Sequence, residues 1–297
     1  MDSRERVKMA LSFQEPDRIP LDIGGAFSCG ISVKAYKRLL DYLGIEVEEI
    51  NISKVIGQLA AVDEVVLKKI GVDVRAVCLD KPSNWKLDIK ENQDYYWFYD
   101  EWQRKYQMPK SGGHYYDIVE FPLAKEDFEN YQWPDPMDPN RFSGLVEKAQ
   151  AFQEKTGAAL VAPEYLANGF LQMGAQLQGF SKWLMMLAAE PSRVEKFLDQ
   201  LLEFKMKFWD AYLSKVGDKI DVACEADDLG TQRGTWISKD MYRKYIKPRQ
   251  SKLYSFIKKK ADVKVFLHSY GSVYDFIPDL IEQVSIAILP KPLKMMY

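Results

Sequence analysis

The 297-residue sequence predicts an α/β fold with parallel strands, of the TIM (β/α)8-barrel type, on three observations. Short apolar runs alternate with segments of helical period along most of the chain, the rhythm of strands joined by right-handed helical crossovers. Acidic or imidazole side chains recur where those runs end, at Asp22, Asp80, Glu164, the Glu225/Asp227/Asp228 cluster and His268, where barrel strands present their catalytic groups. No run leads into G-x-G-x-x-G or G-x-x-x-x-G-K-[ST], so a nucleotide-binding sheet would lack its phosphate cradle. About six strand–helix units are expected, against the eight of a closed barrel, in one domain over 1–297.

In chain order, Arg4 to Phe13 reads as a short amphipathic helix stopped by Pro16. "RIPLDIGG" reads as a first strand with a glycine turn. Ser32 can N-cap a helix through "VKAYKRLLDYLG", with Gly44 as its C-cap. A helix at 62–70 and the strand "VDVRAVCL" follow. Between 84 and 123 the pattern changes to alternating apolar and aromatic positions with Gly112-Gly113 as a hairpin signal, an antiparallel β insertion. Its Trp97, Trp102, Tyr115 and Tyr116 suit packing within strands, as most strand aromatics do, with stacking on a flat ligand as the alternative. The helix-then-strand rhythm then resumes: helix 140–156, strand "AALVAPEY", a helical stretch from about Gly169 to Lys215 broken near Pro191, strand "IDVACEADD", helix 238–259, strand "VKVFLHS", helix 272–282 and a last run "VSIAIL".

Composition narrows the class. With 47% hydrophobic residues and a formal net charge of −2, the chain can bury a large core and carries no global attraction to nucleic acid or anionic membrane. Cys29, Cys78 and Cys224 are odd in number and widely spaced, which excludes a disulfide framework and fits the reducing cytoplasm. The charged N-terminus lacks the apolar stretch of a signal peptide, and no run reaches the roughly 18 apolar residues of a membrane span, so a soluble protein is expected.

Successive strand residues alternate faces, so His268 and Tyr270 point one way together, as do Glu225 and Asp227, with Asp228 on the alternate side. An imidazole joined by carboxylates from a neighbouring strand can bind a divalent metal of the zinc type. It can also be an acid–base site, since histidine titrates near neutrality. A histidine hydrogen-bonded for packing alone is the third reading.

"RERVKMALSFQEPDRIPLDIGG", "GVDVRAV", "LQGFSKWLMMLAAEPSRVEKFLDQLLEF", "EADDLGTQRGTWISKDMYRKYIKPR" and "VFLHSYGSVYDFIPDLIE" together resemble the uroporphyrinogen decarboxylase superfamily, from about Ser3 to Glu282. The branch they are most similar to is that of the corrinoid-dependent methyltransferases. The resemblance implies a TIM-type barrel with its site at the C-terminal mouth. True uroporphyrinogen decarboxylases carry an arginine-bearing R-Q-A-G-R-Y stretch after the first strand; here "DIGGAFSCGIS" stands there without arginine, leaving a polycarboxylate largely unpaired. In the decarboxylase's favour, its catalytic aspartate aligns with Asp80. The methyltransferase branch has H-x-C, holding zinc, where this chain has His268-Ser269-Tyr270. A phenol of pKa near 10 is a poor zinc ligand at neutral pH, so zinc here would rest on His268 with Glu225 or Asp227. Without metal, Tyr270 is a proton donor beside His268.

The resemblance also implies that "ANGFLQMGAQLQGF" after Glu164 lines the pocket. Phe170, Gln172 and Met173 would touch a planar ligand or a corrinoid face, with ordinary helix packing as the alternative for Phe and Met. Gln232, in the D-D-L-G-T-Q-R-G block, joins them as a substrate-binding residue, while Asp22 and Asp80 orient substrate.

The end of the chain departs from the family, which continues with a strand such as "VDILNPVQ". Codons compatible with Ile286 to Tyr297, read two bases later, permit C-N-P-T-Q-T-T-E-D-D-V, so a frameshifted tail at about 286–297 and a barrel incomplete at its C-terminus are expected. An open barrel exposes a strand edge through which a homodimer could form. The expected function is methyl transfer between a small methylated donor and a corrinoid carried by a partner protein. The rivals are a decarboxylase of a tetrapyrrole or a smaller carboxylated substrate, and an inactive remnant or binding protein.

Overall fold

The computed structural model describes residues 1–125, 127–163 and 166–283. The first part of the chain holds α1 (Ser3–Leu11), α2 (Val33–Leu43), a small ladder of β1 (Ile52–Lys54) with β2 (Leu59–Ala60), α3 (Glu64–Ile70) and β3 (Val74–Ala76). Next come β4 (Lys90–Glu91), β5 (Tyr95–Tyr99), β6 (Lys105–Pro109) and β7 (Asp117–Glu120). The remainder is α4 (Leu145–Thr156), β8 (Ala159–Ala162), α5 (Phe170–Gln178), α6 (Phe180–Ala189), α7 (Pro191–Val216), β9 (Val222–Ala226), α8 (Lys239–Met241), α9 (Lys247–Lys260), β10 (Lys264–His268) and α10 (Ile277–Gln283).

The caps follow the residue chemistry. Ser32 accepts the Ala35 N–H at the start of α2, and Gly44 ends that helix at φ 62°, the left-handed region only glycine enters without strain. α8 runs into α9 through a π turn at Tyr242–Ile246. Pro248 sits in the first turn of α9 and lacks the N–H an unbroken α-helix would use, so the backbone widens there.

Four strands make one parallel sheet in the order β10-β9-β8-β3. Every residue of β8 and of β9 is buried, the near-continuous apolar run of a sheet covered on both faces. One face, through Leu160, Ala162, Ala223, Val265 and Leu267, packs on the long helix α7 and its neighbours. The other, through Ala159, Val161, Val222 and Cys224, packs on Val7, Ala26 and Leu67 from the N-terminal segment. At the lower end, buried Asp73 takes hydrogen bonds from Ser3, Arg6, Arg18 and the Leu21 N–H, and Asp221 takes them from Arg4 and the Leu160 N–H, which clips α1 under the sheet.

The insertion is a second, four-stranded antiparallel sheet, β4-β5-β6-β7, with its own small core of Phe98, Tyr106, Met108 and Tyr116. Phe98 and Tyr106 stack at 5.3 Å. The turn between β6 and β7 contains Gly112 at φ 72°.

Three expectations need correction or restriction. "RIPLDIGG" is not a strand: Pro20 removes a donor within it, and the segment is tied to Asp73, just before β3, by the Leu21 backbone and the Arg18 side chain. Four parallel strands, rather than about six, are present among the described residues, and no closed barrel forms among them. "VSIAIL" and the tail at 286–297 lie outside the described residues.

Candidate active site

Alternation along two paired strands decides which polar groups meet. In the parallel register of β9 and β10, Glu225 stands beside Leu267 and Ala226 beside His268. Glu225 and Leu267 point to the helix layer, where Glu225 accepts the Trp209 indole N–H at 2.6 Å and pairs with Lys205 at 2.8 Å. His268 points the other way, into a cleft of about 780 Å³. Asp228, two residues beyond Ala226, lines that cleft too.

Asp228 is the hub of the site. One carboxylate oxygen accepts the Tyr270 backbone N–H at 2.9 Å and lies 4.0 Å from His268 Nε2. The other accepts the Gln172 side-chain amide at 2.7 Å. Burial raises the carboxyl above its ordinary range, while the Tyr270 N–H and Lys54 work in the opposite direction. The Tyr270 ring meets the imidazole edge-on at 4.4 Å and is 46% exposed, so its hydroxyl can reach a ligand. Imidazole, carboxylate, amide and phenol from two strand ends and one helix thus converge on one wall.

The opposite wall is the inserted sheet. Arg104, before β6, is buried and held by Asp100 at 2.6 Å, and it donates to Gln176 of α5. Asn168 donates to the same Gln176 oxygen at 2.7 Å. Trp102, Tyr106 and Tyr115 add aromatic surface. Burial raises the Tyr115 phenol, with the carboxylates of Asp117 and Asp228 adding to the shift.

Two loops meet at the rim with no room for side chains. Gly271 has φ 90°, and a Cβ there would fall 2.1 Å from the Gly230 carbonyl oxygen; a Cβ on Gly230 would meet the Ser272 backbone at 2.6 Å. The "DDLG" and "HSYG" segments therefore dock backbone against backbone, which holds Asp228 beside Tyr270.

Of the residues expected from sequence, Gln172, Asp228, His268 and Tyr270 come together in the cleft. Glu225 does not join them, for the reason of parity just given. Asp227 is buried behind the cleft, where it accepts the Leu171 and Gln172 N–H groups at the start of α5 and the Gln250 amide. Burial pushes its carboxyl up to about 7, against the pull of those two N–H groups. Asp22 turns back on its own loop, accepting from the Gly25 and Ala26 N–H groups, and burial raises its carboxyl. Asp80 is half-exposed and paired with Lys148 of α4 at 2.6 Å. Phe170 and Met173 lie in the core of α5, and Gln232 is on an exposed loop. Glu164 lies outside the described residues. Among the insertion's aromatics, Trp102, Tyr115 and Tyr116 line the cleft, whereas Trp97 lies beside Lys90 and Lys105. Arg104 and Asp100 were missed. The charged "YDEWQRKY" between two aromatic strands was their only signal, and nothing local showed that it would fold over the strand ends. Asn168 falls in the "ANGFLQMGAQLQGF" stretch expected to line the pocket but was not singled out.

A zinc site would need three or four ligands. Among the described residues no group of three His, Cys, Asp or Glu side chains is placed to hold an ion, and Glu225 and Asp227 face away from His268. This donor set does not fit zinc.

Parallel strands whose carboxyl ends open into a polar cleft define the class of α/β proteins that carry their sites on that face. Residues 105–289, more than half of the chain, match the uroporphyrinogen decarboxylase (URO-D) family, and the chain belongs to that family. Among solved structures it is similar to a methyltransferase from Methanosarcina mazei, with a TM-score of 0.59 and 17% identity, over 96% of this chain and 75% of that one. At that identity the likeness is one of fold. No curated protein matches the chain. No described helix is long and apolar enough to cross a membrane.

Proposed function

We propose that this protein is a methyltransferase that moves a methyl group from a small methylated donor, bound in the cleft, to a corrinoid carried on a partner protein in the cytoplasm. In this reading the four parallel strands are an arc of a TIM-type barrel. The observation that carries it is the charge balance of the cleft. Lys54, Lys81 and Arg104 face Asp100, Glu101, Asp117 and Asp228; Arg104 and Asp100 pair with each other and Glu101 pairs with Arg141, so beyond those pairs Lys54 and Lys81 stand against Asp117 and Asp228. A substrate with many carboxylates would meet at least as many anions as cations, whereas a small donor with an apolar or aromatic body suits Trp102, Tyr106 and Tyr115. The likeness of fold to a methyltransferase supports the same reading.

The corrinoid, when bound, supplies the nucleophile that accepts the methyl group. The chain's own residues handle the other half of the balance. The bond between the donor heteroatom and its methyl carbon breaks, and the electron pair stays on the heteroatom. His268 delivers a proton to that heteroatom, and Asp228 holds the imidazolium form. Gln172 and the Tyr270 N–H fix Asp228, and the aromatic wall offers an apolar surface to the donor. No step uses a metal. A decarboxylase centred on Asp80 has less support, because that carboxylate is paired with Lys148.

The test incubates purified protein with a reduced corrinoid protein and, in turn, a methoxylated phenol, trimethylamine and dimethyl sulfide, following methylcobalamin absorbance. Methylation with one donor class is expected; none with any of the three defeats the reading.

A further inference from the structure

On the helix side of β9 a buried ion pair grips the loop that follows β8. Lys205 of α7 and Glu225 are 3% and 5% exposed and meet at 2.8 Å. The ammonium does not place all its protons on the carboxylate: it also donates to the carbonyls of Ala167 at 2.9 Å and Asn168 at 3.3 Å. One residue earlier, the Leu166 carbonyl accepts the Trp102 indole N–H at 3.0 Å. Three successive carbonyls are thus tied to buried donors. The Asn168 side chain meanwhile donates to the Gln176 oxygen that also takes Arg104. Leu166, Ala167, Asn168 and Gln176 all line the cleft.

We infer that Lys205 is a positioning residue: from behind the sheet its ammonium sets the 166–168 loop, and so the place of Asn168 and Gln176 beside Arg104, without touching the ligand. The inference rests on the reading of this cleft as the ligand site. A lysine is suited to the task because its compact ammonium offers three donors that need not be coplanar. Glu225, 2.8 Å away, keeps that ammonium aimed, which accounts for a carboxylate on the apolar face of β9.

The test separates positioning from plain stability. Lys205→Met alone leaves Glu225 buried without its counter-charge and is expected to destabilise the whole protein. The double variant Lys205→Met/Glu225→Gln removes both charges and keeps an acceptor for Trp209, so it should melt within about 5 °C of the parent. Hydrogen exchange is then followed in peptides covering 166–178, with β10 as the reference. Exchange about tenfold faster in 166–178, with β10 unchanged, is the expected result. Parent-like exchange in 166–178, or an increase spread evenly into β10, overturns the inference. Should the double variant not fold, Lys205→Arg is read by the same peptides: it keeps the charge pair but replaces the compact ammonium with a planar fork, and faster exchange confined to 166–178 is again expected. Because exchange needs no substrate, local loosening in a protein that methylates with no donor would uphold Lys205 and reject methyl transfer.

Discussion

In the proposed reaction His268 and Asp228 form the pair on which proton delivery turns, and each answers to a different substitution. His268→Asn keeps the polarity of the wall but removes the titrating nitrogen, so methyl transfer is expected to slow by about 10²- to 10⁴-fold. A variant within twofold of the parent would take His268 out of proton delivery. Asp228→Asn still accepts the Tyr270 N–H but no longer holds a charged imidazole; its rate is expected to fall while binding of the donor changes little. Asp227 bears on stability rather than rate. Burial raises its carboxyl from an unfolded value near 4 to about 7. The folded state thus binds that proton more tightly; the stabilisation is complete below about pH 4 and is lost as pH rises through about 7. Between pH 4.5 and 8 the parent's melting temperature should fall relative to that of Asp227→Asn, and parallel profiles would remove Asp227 from the account.

At the scale of elements, the site depends on how α5 and two strand-end loops are seated. The start of α5 presses so closely on β9 that a Cβ at Gly169 would lie 2.1 Å from the Asp227 side chain. At the rim, Gly271→Ala adds a strained left-handed residue and a clash with the Gly230 backbone, for an expected loss of about 3 kcal/mol. Denaturant titration checks this, and a change below about 1 kcal/mol would show that the loops can part cheaply. Most elements were legible beforehand. The helix expected at 238–259 occupies 239–260 with its π turn, because caps and apolar period are local signals. The first strand failed because Pro20, in the middle of its apolar residues, removes a ladder donor. Grouping Glu225 and Asp227 with His268 failed for another reason: period two says which residues share a face, but not which face meets the cleft.

Across the whole molecule, the N-terminal segment is bound to the sheet by buried charge. Asp73 lies below the ordinary carboxyl range: burial works to raise it, but the Leu21 N–H, Arg18, Ser3 and Arg6 more than offset this. Its contribution is therefore present above about pH 4 and lost as pH falls through the lowered value. Asp73→Asn should destabilise by about 3 kcal/mol at neutral pH and flatten the acid limb of the stability curve. An unchanged acid limb would place the acid weakness elsewhere.

Sequence alone determined the class of fold, the rhythm of helices and strands, the presence of an aromatic insertion and the resemblance to the decarboxylase family, because each is written in local spacing and residue type. It also brought His268, Tyr270, Asp228 and Gln172 into view. Only the tertiary structure decided that Glu225 serves Lys205, that Asp80 serves Lys148, and that the insertion contributes Arg104 to the cleft. Those outcomes depend on which neighbour each face meets, a contact between segments dozens of residues apart that no local pattern encodes.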